Sequence, residues 1–195
     1  MIESKNTETH PLEPFLPSNA RLLMLGSFPP KRNRWSMEFF YPNLQNDMWR
    51  IFGLIFFDNK DYFLNGEKKR FEKERIERFL EEKGIALSDT ATEVIRLKEN
   101  ASDKFLEVVE PLSLSTVLTQ LPECKAIAVT GQKALDTLLT LIDAKQPTVG
   151  GYTEFCFEGR NLRLYRMPSS SRAYPKPVME KAQAYAGMFG ELDLL

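Results

Sequence analysis

Histidine is nearly absent from this chain: His10 is the only one in 195 residues, in an opening segment punctuated by Pro11, Pro14 and Pro17. Mechanisms that pair serine or cysteine with histidine would depend wholly on that residue, so the chemistry is read without one. Cysteine is also scarce. Cys124 and Cys156 lie far apart in sequence, which fits a reduced, cytoplasmic setting with both thiols structural. No Cys/His spacing matches a zinc or iron–sulfur site, and no glycine-rich phosphate motif is present. No metal and no cofactor is therefore expected. No apolar run approaches the ~20 residues of a membrane span, and Met1 to His10 is polar, without a signal-peptide core. A large excess of one charge is missing too: 26 basic against 27 acidic residues, net −1.

What is present is the composition of an ordinary globular chain, 43% hydrophobic and 27% charged, long enough for one domain over residues 1–195. Charge is unevenly spread. Ala20 to Ser36 holds Arg21, Lys31, Arg32 and Arg34 with no acidic residue, and Gly159 to Lys176 holds Arg160, Arg163, Arg166, Arg172 and Lys176, again with none. If these segments meet in space they form a positive patch on a near-neutral protein.

Along the chain, residues 1–19 read as an extended lead-in. Leu22 to Leu25, Ile85 to Leu87 and Ala126 to Val129 are short continuous apolar runs, the pattern of buried parallel strands. Tyr152 to Phe157 and Leu162 to Arg166 read as a hairpin around Glu158 to Asn161. Helices are expected over Asp47 to Phe52 after an Asn46 cap, over Gly66 to Lys83, from Ser102 or Asp103 to just before Pro111, over Gln132 to Ile142, and after Pro177. Strands alternating with helices predict an α/β fold: a three-layer αβα sandwich on a central, mostly parallel four-stranded sheet. Ligands of such sheets bind beyond the carboxyl ends of the strands, where Gly26 to Pro29, Ser88-Asp89, Thr130-Gly131 and Pro168 to Ser171 would converge.

Four segments together resemble the uracil-DNA glycosylase superfamily, nearest its hypoxanthine and mismatch-specific (thymine/uracil) branches. They are G-S-F-P at Gly26, F-F-Y-P-N-L-Q-N-D-M-W-R-I at Phe39, G-I-A-L-S-D at Gly84 with N-A-S-D at Asn100, and M-P-S-S-S at Met167. With the central V-T-G-Q-K-A the resemblance spans residues 9 to 190. Phe28 stands where two branches carry a catalytic asparagine, and serines stand where the best-known branches carry a histidine. As in the hypoxanthine branch, the asparagine is sought further along, at Asn46, with Asn43 as its rival.

The resemblance implies a monofunctional DNA N-glycosylase of base excision repair, a monomer whose partner is duplex DNA with a damaged or mismatched base. The flipped base, uracil or hypoxanthine, stacks on Phe40 or its neighbours Phe39 and Tyr41. Gly26, Ser27 and Phe28 line the base, and their backbone donors stabilise the departing charge. Asn46 holds the water, with Asp89 in reserve. Pro168, Ser169, Ser170 and Ser171 grip phosphates around the lesion, joined by Lys31, Arg32 and Arg34, and Arg172 either enters the space the base vacates or contacts the backbone. Two other readings stand beside this one: a non-catalytic nucleic-acid-binding member of the superfamily, and a nucleoside- or nucleobase-binding protein.

Overall fold

The computed structural model describes residues 6–98 and 102–195. In chain order its strands are β1 (Thr7–Thr9), β2 (Leu22–Gly26), β3 (Ile85–Asp89), β4 (Ala91–Arg96), β5 (Leu106–Pro111), β6 (Ala126–Thr130), β7 (Tyr152–Phe157) and β8 (Arg160–Met167). Its α-helices are α1 (Met48–Phe57), α2 (Lys73–Lys83), α3 (Leu114–Thr119), α4 (Gln132–Leu139) and α5 (Val178–Glu191).

The fold is mixed α/β. The central sheet has five strands in the order β3-β2-β6-β8-β7, rather than the expected four. β3, β2, β6 and β8 run parallel, and β7 is an antiparallel edge folded back from β8. β2, β3 and β6 are buried along their whole lengths, as their unbroken apolar runs require. Alternation then divides each strand between two cores. Leu22, Met24, Ala126 and Ala128 face the layer of α1, α2 and α5. Leu23, Leu25, Ile127 and Val129 face α3 and α4.

Two expected helices are corrected. Residues 66–72 do not join α2: the Asn65 side-chain oxygen accepts the N–H groups of Lys69 and Arg70, and Lys68 has φ 56°. These bonds close a turn where a helix would need its own ladder. From Asp103 the chain makes only a 3-10 turn to Phe105, then becomes β5. β5 pairs with β4, and β4 with β1, in a second, antiparallel sheet. The expected N-A-S-D element falls partly outside the described residues, at Asn100 and Ala101. The lead-in is extended, but it is tied to the fold. Phe15 exchanges both backbone hydrogen bonds with Leu87 at 2.9 Å, which covers the free edge of β3. Among the described residues no helix is long and apolar enough to cross a membrane.

Candidate functional site

The chain passes from β2 to β3 on one side, then returns past β2 to β6 and β8 on the other. Connections therefore leave β2 and β6 in opposite directions, opening a crevice at their carboxyl ends. A cleft of about 130 Å³ lies there, lined from β2 (Gly26), β3 (Asp89), β6 (Thr130) and the loop after β8 (Ser169 to Ser171). It is smaller than the ~300–1,000 Å³ that encloses a drug-sized ligand, so it has room for one small group. A larger groove, about 820 Å³, opens at the amino ends of the strands around Arg21, Lys125 and Arg163. Strand direction separates it from the four converging loops.

The floor of the cleft is built around Asp89. Its Oδ2 lies 2.7 Å from Nε2 of His10, and both side chains are more than nine-tenths buried. The other ring nitrogen, Nδ1, lies 2.9 Å from the Leu12 carbonyl oxygen and 3.1 Å from the Leu12 nitrogen, so both ring nitrogens are held by polar partners. Phe28 sets its ring against the edge of His10 at 5.1 Å. Across the floor, the Tyr41 hydroxyl and Thr130 Oγ1 are hydrogen-bonded at 2.9 Å. Tyr41 holds φ 51°, a left-handed backbone uncommon outside glycine. Burial first, then the nearby carboxylate of Asp89, pushes its hydroxyl well above the ordinary tyrosine range. It is a neutral hydrogen-bonding group.

His10 is the functional candidate that sequence reasoning missed. Nothing in Thr7 to Pro11 marks it. What places the ring is strand pairing: β1 lies on β4, and the His10 N–H donates to the Thr92 carbonyl at 2.7 Å.

The second wall is the serine loop, fixed from behind. The Tyr185 hydroxyl donates to the Pro168 carbonyl at 2.8 Å, the Asp47 N–H donates to the Ser170 carbonyl at 2.8 Å, and Lys181 Nζ donates to the Ser171 carbonyl at 2.9 Å. Lys181 is fully buried and also pairs with Asp47 at 3.4 Å, while Arg172 reaches the other oxygen of Asp47 at 3.1 Å. Asn46 and Ser171 form a β-bridge, so the asparagine segment and the serine loop, distant in sequence, are joined directly. The Asn46 side-chain oxygen accepts the Met48 N–H at 2.9 Å, and that of Asn43 accepts the Gln45 N–H at 2.9 Å. Both asparagines line the cleft.

A second carboxylate, Asp103, also lines it. Burial above all, and next the charge of Asp89, raise its pKa, against a hydrogen bond from Ser27 that lowers it. A raised carboxyl makes folding less favourable as pH rises. The penalty is absent below the ordinary value of ~3.9 and complete above the folded-state value. Asp103→Asn is therefore expected to melt a few degrees higher than the parent at neutral pH, with the gain vanishing below about pH 4. Equal melting temperatures at both pH values would show that Asp103 is solvated.

Of the other residues singled out from sequence, Gly26, Ser27, Phe28, Phe40, Tyr41, Ser169, Ser170 and Ser171 line the cleft. Phe39 does not. It is buried between Phe15, Phe40 and Trp49, because its neighbours in the strained Phe39-Phe40-Tyr41 turn take the cleft side. Pro168 supports the loop through its carbonyl rather than lining the cavity. Lys31 and Arg32 line a neighbouring groove, where Arg32 pairs with Glu38 and stacks over Trp35 at 4.3 Å. Arg34 and Arg172 share a groove that borders the cleft through Asn43, Gln45, Ser169 and Ser171. The two basic segments therefore meet at both ends of the sheet, here through Arg34 and Arg172 and at the amino ends of the strands through Arg21 and Arg163. Arg21, Arg160 and Arg163 sit at the amino ends of the strands, with Arg160 spent on the carbonyls of Leu118, Leu121 and Cys124. Among the described residues no group of three or more His, Cys, Asp or Glu side chains is placed to hold a metal ion.

No family model matches the chain, and no curated protein matches it. Among solved structures it is similar to the solution NMR structure of a putative uracil DNA glycosylase from Methanosarcina acetivorans. The TM-score is 0.63 at 21% sequence identity, with 96% of this chain and 99% of that chain covered. At this identity the likeness is one of architecture, and it extends over nearly the whole of both molecules: the chain has that protein's mixed α/β fold.

Proposed function

We propose that this protein is a monofunctional DNA glycosylase of the uracil-DNA glycosylase superfamily, hydrolysing the N-glycosidic bond of a flipped-out deaminated base, uracil or hypoxanthine. The observation that carries the reading is the Asn46–Ser171 bridge, which closes two remote loops around one small cleft at the carboxyl edge of the sheet. The fold shared with a protein described as a putative uracil DNA glycosylase supports it.

In this mechanism the extruded base enters the cleft against Phe40. The bond from C1′ to the base nitrogen breaks with its electron pair leaving on the base, through an oxocarbenium-like state. Backbone N–H groups at Ser27 and Phe28 and the serine hydroxyls stabilise that charge, each well-placed donor contributing roughly 3 kcal/mol. Asn46, held by its bond to Met48, orients a water toward C1′; a carboxamide is too weak a base to do more. Asp89, steadied by His10, takes the water's proton as oxygen bonds to C1′, and the departing base is protonated in turn.

The test is incubation with duplexes holding uracil, hypoxanthine, xanthine or a thymine mismatch, followed by alkaline scission. Cleavage at uracil or hypoxanthine is expected, and an intact strand in every case would remove the enzymatic reading. Asn46→Ala should lower single-turnover cleavage by at least about a hundredfold while leaving affinity for an abasic duplex within a few-fold. Unchanged turnover takes Asn46 out of the mechanism. A binding-only reading has one observation in its favour: the side-chain oxygens of both asparagines already accept backbone N–H groups. Retained affinity for abasic DNA with no cleavage would establish it.

A further inference from the structure

Beside the serine loop, away from the base cleft, a groove of about 570 Å³ runs between the start of α1, the segment after it and the start of α5. Six basic side chains line it, Arg50, Lys60, Lys68, Arg172, Lys176 and Lys181, against two carboxylates, Asp47 and Asp61. The carboxylates are already engaged. Asp47 is buried with Lys181 and Arg172, and Asp61 holds Lys68 at 2.6 Å. In a chain of net charge −1 this is a local concentration of positive charge, not general basicity.

Three features point the same way. Arg50 and Arg172 are close enough to repel: burial and then the charge of Arg172 lower the pKa of Arg50. The charges of Asp47 and Asp61 offset this only in part. The groove is also continuous with the site, since Arg172 lines it and equally lines the groove of Arg34 and Lys104 that borders the cleft. Finally, the groove is over four times the volume of the cleft, about 570 against 130 Å³, room for a strand rather than a base.

We infer that this groove is a second phosphate track, which takes the sugar–phosphate backbone of DNA beyond the nucleotide held in the cleft. The inference rests on the glycosylase reading for the identity of the polyanion. Arg172 is the hinge point between the two halves of the path. Lys60, Lys68 and Lys176 contact successive phosphates sequence-independently, Lys68 and Lys176 exchanging their surface ion pairs with Asp61 and Glu180 for them.

The test is a salt series of binding to an undamaged duplex by the parent and by Lys60→Gln/Lys68→Gln/Lys176→Gln. Each phosphate that a variant no longer neutralises should reduce the slope of log K against log[salt] by ~0.9, so the triple variant is expected to fall short of the parent slope by about 2 to 3. Lys125→Gln/Arg163→Gln, at the opposite ends of the strands, should keep the parent slope. Cleavage at saturating DNA should be unchanged in both. A triple variant with the parent slope overturns the track and leaves the glycosylase reading standing. Equal reductions in both variants overturn it as well, by reducing the effect to net charge. A parent that binds no DNA at low salt removes both proposals together. If the triple variant unfolds early, Lys60→Gln alone carries the test, with an expected slope change of ~0.9.

Discussion

Under the proposed glycosylase function, Gly26→Ala is expected to lower base excision by about a hundredfold or more in a protein that still folds. A β-carbon on residue 26 would stand 2.4 Å from Asp89 Oδ1 and 3.2 Å from the Tyr41 hydroxyl, and neither group can retreat. Asp89 is a short, buried side chain whose other oxygen is held by His10. Tyr41 is anchored to Thr130. The methyl group therefore displaces the groups that shape the floor of the cleft, and displacements of ~1 Å at a reacting centre cost about 10²-fold in rate. Overpacking at such a site costs roughly 1–3 kcal/mol, so a melting curve should show a cooperative but earlier transition. Gly66→Ala is the control: nothing lies within 4 Å of its added carbon. Parent-like turnover in Gly26→Ala would mean that Asp89 and Tyr41 do not define the floor.

Asp47→Ala is expected to produce the largest loss of stability, about 3–5 kcal/mol. The change strands Lys181, which is fully buried, with only the Ser171 carbonyl as a partner among the described residues. Breaking one side of a buried pair costs more than removing both, because the remaining charge stays desolvated. Asp47→Ala/Lys181→Met should therefore recover most of the loss, and Lys181→Met alone should cost less than Asp47→Ala, since Asp47 keeps Arg172. Urea unfolding at pH 7 measures all three. A cost below about 1 kcal/mol for Asp47→Ala would place the pair in the class of solvated surface bridges. The serine loop leans on this pair, so under the proposed function the stability loss should be accompanied by weaker DNA binding.

The same residues show how far a one-dimensional reading reaches. The apolar runs at Leu22, Ile85 and Ala126 were sufficient to read the parallel strands, because a strand buried on both faces must be apolar at every position. β7 and β8 were legible from their hairpin. The small antiparallel sheet was not. β1 is Thr-Glu-Thr and β4 is Ala-Thr-Glu-Val-Ile-Arg, and pairing rather than composition makes them strands. The amphipathic spacing of Ile76, Phe79 and Leu80 located α2 but not its start, since the Asn65 turn is closed by a side chain. Asn46, expected as the cap, stands one residue before the actual N-cap of α1, Asp47; its side-chain oxygen still accepts the Met48 N–H, and it lines the cleft.

By itself the sequence determined the layer order, the strand ends that carry the cleft, and the glycine and serine loops that line it. These follow from local periodicity and turn chemistry, which short-range sterics and burial write into neighbouring residues. Only the tertiary structure decided that His10 holds Asp89, that Lys181 stands under the serine loop, that Phe39 is core while Phe40 is cleft, and that the basic residues divide between the two ends of the sheet. Each of these depends on groups brought together by hydrogen bonds and ion pairs between remote elements, 79 residues apart for His10 and Asp89 and 134 for Asp47 and Lys181. Such partnerships have no local signature, because the energy that selects them exists only once both partners have left water.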